Sequence, residues 1–250
     1  MHEDRKFVLS LAGFDPSGGA GILADIKSIE QQKAYGLAIN TALTLQTEKQ
    51  FEQLSWQTSA QILQGLNYML KHYPIKAIKI GIIPSLGLLH EVLSTIKQHN
   101  SSIKIIWDTV LKSTTGQAFV QASDEFLLHE NLNMIDLITP NWPEVMQLKP
   151  NKNALASAEY LAQFTAVLLK GGHNENQPGY DHLFLGQKQS HVLAPQSEVF
   201  YGKHGTGCIL SSAIAAHLAQ GKSILEACLL AKSYLEKVAL SHPGLLAYHS

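Results

Sequence analysis

Short runs of Ile, Val and Leu alternate along the chain with longer stretches whose apolar residues recur every three or four positions. The short runs cover residues 6–12, 75–81, 103–107, 135–138 and 166–169. They barely alternate between apolar and polar, as strands do when helices cover both faces of a parallel sheet. The longer stretches read as helices. Residues 19–33 place Ile22, Ile26 and Ile29 on one face, residues 59–71 do the same with Ile62, Leu66 and Leu70, and residues 86–98 form another. The segments HLFLG and SHVLA, around Lys188, predict a hairpin, and residues 207–219 and 223–240 predict two closing helices. Strand–helix alternation of this kind predicts an α/β fold with right-handed crossovers. With no linker, repeat or low-complexity segment in view, a single domain over residues 1–250 is expected.

Composition narrows the function classes. Apolar residues make up 45% of the chain and charged residues 16%, enough for a core and too apolar for disorder. A formal charge of -1 argues against nucleic acid, which needs a basic face. Two cysteines, Cys208 and Cys228, make neither a disulfide framework nor a metal pair. The twelve histidines show no HExxH spacing, so zinc is not expected. The charged start MHEDRK leads into a short apolar run that meets Asp15, which reads as a buried strand and not as a signal peptide. No run approaches a membrane span of about 18 apolar residues. The expectation is a soluble cytoplasmic protein.

Chemistry concentrates in a few segments. GFDPSGGAG (residues 13–21) lies between a strand and a helix that carries Asp25. Its glycines allow a ligand close to the backbone, and the helix start offers N–H groups to polar or anionic groups. It is neither a dinucleotide fingerprint, which would follow its strand directly and be answered by an acid, nor is Gly221-Lys222-Ser223 a P-loop, because a helix precedes it. HGTGC (residues 204–208) opens an apolar helix. N–H groups at Gly205 and Gly207 there suit a phosphoryl group. Two readings of Cys208 stand side by side: a thiol whose pKa the helix dipole lowers so that it takes a hydroxyl proton, or a small buried residue at a glycine-rich helix start. Asp108 in WDTV and Asn141 and Glu144 in TPNWPE follow strands, where open α/β sheets bind ligands, and suit Mg²⁺. Glu144 also fits a helix N-terminal acid. Lys170 in LLKGGH is either a point charge for ATP phosphates or a solvated strand-end lysine.

Taken in order, AGFDPSGGAGILADIK, KIGII, DTVL, TPNWPE, LLKGGH and HGTGC resemble the hydroxymethylpyrimidine/phosphomethylpyrimidine kinases of thiamine biosynthesis, within the ribokinase-like superfamily. The resemblance runs from about residue 6 to residue 240. It implies a ribokinase-like α/β fold, a central mostly parallel sheet flanked by helices on both faces, in a homodimer. It implies two successive phosphorylations by MgATP, of 4-amino-5-hydroxymethyl-2-methylpyrimidine and then of its monophosphate. By matching position, Gly13, Asp25 and Gln46 touch the pyrimidine and Ile82 lines its pocket. Asn141, Lys170 and Gly171 hold ATP phosphates, and Asp108 and Glu144 orient Mg²⁺ and its waters. Gly205, Thr206 and Gly207 make the anion hole, and Cys208 is the base. The sequence departs from the family where a usual Met is Ile82 and where Gln-Asn-Thr is Gln46-Thr47-Glu48. A pyridoxal kinase of the same branch and a non-catalytic pyrimidine-binding sensor are the alternatives. The sensor is disfavoured by the presence of Asp108, Glu144, Lys170 and Cys208 together.

Overall fold

The structure is a computed structural model and describes residues 5–111, 124–173, 177–186, 189–197 and 201–249. One nine-stranded sheet organises it, in the order β3-β2-β1-β4-β5-β6-β7-β8-β9. The parallel strands are β1 (Phe7–Phe14), β2 (Tyr35–Gln46), β4 (Ile75–Ile80), β5 (Lys104–Trp107), β6 (Leu137–Ile138) and β7 (Ala166–Leu169). β3 (Phe51–Trp56) returns antiparallel along β2. At the other edge β8 (Asp181–Phe184) and β9 (Ser190–Leu193) form the expected hairpin, whose tip at Lys188 lies outside the described residues.

The unbroken apolar texture of the strands has a simple cause. Successive side chains point to opposite faces, and each face has its own core. Leu9, Leu11, Ile78, Ile80, Ile105, Trp107, Val167 and Leu169 pack on one side. Val8, Ala77, Ile106 and Leu168, their immediate neighbours, pack on the other. The first side is covered by α2 (Ser59–His72), α3 (Leu86–His99), α4 (Glu125–Asn133), α5 (Trp142–Leu148) and α6 (Ala154–Leu161). The second is covered by α1 (Gly21–Gln31), α7 (Thr206–Ala219) and α8 (Ile224–Leu240). α7 packs against α1, α8 and strands β1, β4 and β5, and every residue from Ile209 to Ala219 is buried. Beyond its first turn it is a core helix with no solvent face.

Two strands were not legible in the sequence. β2 and β3 have partly exposed, mixed faces, with Leu43 and Leu45 open to solvent, so they lack the apolar run that marks the central strands. The first strand also runs past Ala12 to Phe14, which brings Gly13 into the sheet. The rejected P-loop look-alike has a structural role: Gly221 turns the chain at φ +86°, and Ser223 caps α8 in a capping box with Glu226.

Candidate active site

Six parallel strands of the sheet end on one cavity of about 1040 Å³. Gly13 comes from β1, Ile82 from just beyond β4, Asp108 from beyond β5, Asn141 from beyond β6 and Lys170 from beyond β7. The N-terminus of α7 faces them with Gly205, Thr206, Gly207 and Cys208. Gln46 lines the cavity from the end of β2 and Glu144 from the first turn of α5. Eleven of the thirteen residues expected in the site therefore meet in one place.

The phosphate-side charges are packed tightly. Asp108 is fully buried; its Oδ1 accepts from Lys170 at 3.1 Å and from Thr139 at 3.1 Å, and its Oδ2 from Ser211 at 3.2 Å. Burial alone would raise its pKa, but Lys170 and Lys79 outweigh this and hold the carboxyl below its usual range. Glu144 lies 3.7 Å from Lys170. Burial pushes its pKa up, with Asp108 adding to the rise and Lys170 opposing it. Both readings of Glu144 hold at once, because it forms a capping box with Asn141 and also lines the cavity. Lys170 is no solvated strand-end lysine: the two carboxylates raise its pKa against the effect of burial. Gly207 allows this cluster to sit against α7, since a Cβ there would lie 3.2 Å from Lys170 Nζ.

Three expectations need correction. Asp25 does not line the cavity. It is fully buried behind it, where Lys79 Nζ donates to both of its oxygens at 2.9 and 2.8 Å, Ser10 at 2.6 Å and Ser212 at 2.7 Å. A carboxylate so occupied has no free oxygen to offer an aminopyrimidine. Gly171 has its N–H committed to Asp181 at 2.7 Å, and Gly172 is the glycine that lines the cavity. The Cys208 thiol is not lowered in pKa. It is half-buried, and burial pushes it up to about 11; Lys79 pulls it down, and Asp25 and Asp108 push it further up. Desolvation of a thiolate outweighs the opposing Lys79 charge and the Gly21 backbone hydrogen bond here.

Several contributors escaped the sequence reading. Lys79, inside the quoted KIGII motif, is fully buried at the cavity wall. A lysine in an apolar strand run was a possible signal, but only its partner shows its use. His204 Nε2 lies 2.8 Å from Asp15 Oδ2, which also accepts from the Ala20 backbone at 2.9 Å. Burial would raise the Asp15 pKa, yet the His204 and Ser17 hydrogen bonds leave it lowered. This pair clamps the glycine-rich loop after β1 to the loop before α7. Residues 241–249 press on that second loop from outside: the His204 N–H donates to Leu245 O at 2.9 Å, and Lys203 Nζ donates to His242 O and to Gly244 O. At the end of the cavity away from Gly13, Lys232 Nζ donates to Asp181 at 2.8 Å and to Gly179 O at 2.6 Å. These partners lie far apart in sequence, so no local motif announces them. The side chain of His173, also within a quoted motif, is outside the described residues.

A sequence profile of the family described as phosphomethylpyrimidine kinase matches residues 15–249. The hydroxymethylpyrimidine/phosphomethylpyrimidine kinase of Aquifex aeolicus is 35% identical over 239 residues, covering 91% of this chain and 91% of that protein. The crystal structure of a phosphomethylpyrimidine kinase from Clostridium difficile 630 superposes with a TM-score of 0.76 at 29% identity, over 92% of this chain and 98% of that one. A pyridoxal kinase from Staphylococcus aureus in complex with ADP shares the fold, with a TM-score of 0.83 at 22% identity over 95% and 89% of the two chains.

Proposed function

Since the chain belongs to the phosphomethylpyrimidine kinase family, we propose that it transfers the γ-phosphoryl group of ATP to 4-amino-5-hydroxymethyl-2-methylpyrimidine, and then to the monophosphate so formed, in thiamine biosynthesis. The observation that carries this reading is the convergence of Cys208, the Gly205–Gly207 turn, Lys170 and Asp108 on one cavity with Gln46 and Ile82. Phosphoryl transfer asks mainly for positioning and charge neutralisation, and this cavity supplies both.

The acceptor ring belongs between Gly13, Ile82 and Gln46. The Gln46 amide presents a donor and an acceptor, the complement of an aminopyrimidine edge. The N–H groups at the start of α7 receive the charge that spreads over the transferring group. The thiolate form of Cys208, which burial makes the minor one, takes the hydroxyl proton as that oxygen bonds to phosphorus, and the electron pair of the broken P–O bond leaves with ADP. Lys170 holds phosphate oxygens, and Asn141, whose Oδ1 caps α5, borders the same space. When bound, Mg²⁺ would neutralise phosphate charge. Asp108 and Glu144 fit it through its waters, because each already accepts hydrogen bonds from the protein. The same reading includes a homodimer, to be checked by sedimentation.

The test is product analysis. Purified protein with MgATP is incubated separately with the hydroxymethylpyrimidine, its monophosphate and pyridoxal, and products are weighed by mass spectrometry. Conversion of both pyrimidine forms is expected. Conversion of pyridoxal alone, or of nothing, overturns the reading. Cys208→Ala should lower kcat by about 10²–10⁴-fold with little change in pyrimidine affinity, the loss typical of a general base. A normal kcat would show the thiol to be structural.

A further inference from the structure

A fully buried lysine with a single carboxylate in ion-pair contact borders the same cavity as Cys208. Lys79 and Asp25 have no solvent exposure, and their ion pair is made at 2.8 Å. Replacing such a pair with apolar residues of similar size is often neutral or stabilising, so a core gains little from it as packing. Its placement is specific, however. Asp25 Oδ1 also accepts from Ser212 at 2.7 Å, and Ser212 lies four residues after Cys208 on α7. Positions i and i+4 share a helix face, so the pair is anchored on the face that carries the thiol. Lys79 and Cys208 both border the cavity. Asp25 is held rigidly by three side chains from three different elements: Ser10 of β1, Lys79 of β4 and Ser212 of α7.

We propose that Lys79, locked by Asp25, is a positioning residue for Cys208: its ammonium stabilises the thiolate form of that side chain, and Asp25 moderates the effect. The mechanistic use of this charge rests on the reading of Cys208 as proton acceptor, but the charge coupling itself does not. The groups that act on the thiol are Lys79 from β4, Asp25 from α1, Asp108 after β5, Lys170 after β7 and the backbone N–H of Gly21. Lys170 is already neutralised by Asp108 and Glu144. Lys79 is shared with one carboxylate where Lys170 is shared with two, and it is the cation that acts most strongly on the thiol.

The experiment measures the alkylation rate of Cys208 by iodoacetamide, followed by mass spectrometry. It is done in a Cys228→Ala background, so that one thiol remains. The thiolate is the nucleophile, so below the thiol pKa the rate follows the thiolate fraction. Asp25→Asn removes a negative charge and should raise the rate about tenfold at about pH 8, as expected for one pH unit in the thiol equilibrium. Lys79→Met should lower it about tenfold on the same basis. The neutral pair Lys79→Met/Asp25→Asn should react more slowly than Asp25→Asn alone. A role confined to core packing predicts the same direction for both single variants, since loosening exposes the thiol. The proposal fails if Asp25→Asn is unchanged or slower, or if the neutral pair reacts as fast as Asp25→Asn. Those two variants decide the matter even if Lys79→Met does not fold. Normal turnover by Cys208→Ala alongside the expected alkylation pattern would remove the base role and leave the charge coupling standing.

Discussion

At the scale of single residues, the loop before α7 is where small changes count most. Gly205 caps α7 at φ +78°, a left-handed conformation that L side chains rarely adopt, and a Cβ there would collide with the carbonyl of Gly19. Gly205→Ala should cost at least about 1–3 kcal/mol of stability, the scale of a forced backbone conformation, and should abolish transfer even where protein folds. Thermal melts and turnover of the purified variant check both halves. The neighbouring clamp carries a pH signature. The Asp15 carboxyl titrates below its ordinary value of 3.8 in the folded state. Its contribution to stability is therefore fully present above that value and is lost as pH falls through the lower folded value. Asp15→Asn should cost about 1.5–3 kcal/mol at neutral pH, as for hydrogen bonds to charged groups. The gap between wild type and variant should close as pH drops below 3.8. A gap that stays constant across that range would show that the clamp does not depend on the charge.

At the scale of elements, legibility followed burial. The five central parallel strands could be read from their apolar runs because both faces feed a core. The motif residues that end those strands were read with them, since a strand end fixes where its following loop must lie. β2 and β3 could not be read, because an edge ribbon with one open side carries no such run. The short helices α4 and α6 were also missed, and of α5 only the first turn was read, through Glu144; at 9, 8 and 7 residues they offer barely two turns of periodicity. In the site, what failed was pairing. The sequence placed Asp25 near the ligand but could not show that Lys79, 54 positions later, takes up its carboxylate. Of the two readings of Cys208, burial decided the sign of its displacement, and only the packing around the thiol could show that. Packing of α7 yields a prediction of its own. Ala213 and Ala215 have no exposure, with sheet and helices on every side. Ala215→Leu should destabilise by about 1–3 kcal/mol through overpacking, measured by denaturant titration. A neutral result would reveal slack between α7 and its neighbours.

At the scale of the whole molecule, the cavity has two ends, and the turn of residues 205–207 lines it as well. Gly13, Gln46 and Ile82 form one end, and Asp181 and Lys232 border the other. Ligands at the two ends should stabilise the fold independently, each by about 2.7 kcal/mol at a hundred times its Kd. Gln46→Ala should abolish the thermal shift given by the pyrimidine and retain that given by MgATP; loss of both would mean that the ends are not separate. The strap formed by residues 241–249 reaches further. It lies about forty positions beyond the loop it supports and supplies three backbone carbonyls to Lys203 and His204. A chain emerging from the ribosome thus presents every reactive side chain of the site before the segment that fixes their geometry. Competence therefore waits on that segment, and a chain truncated and released at Leu240 would carry all nine strands yet stay silent.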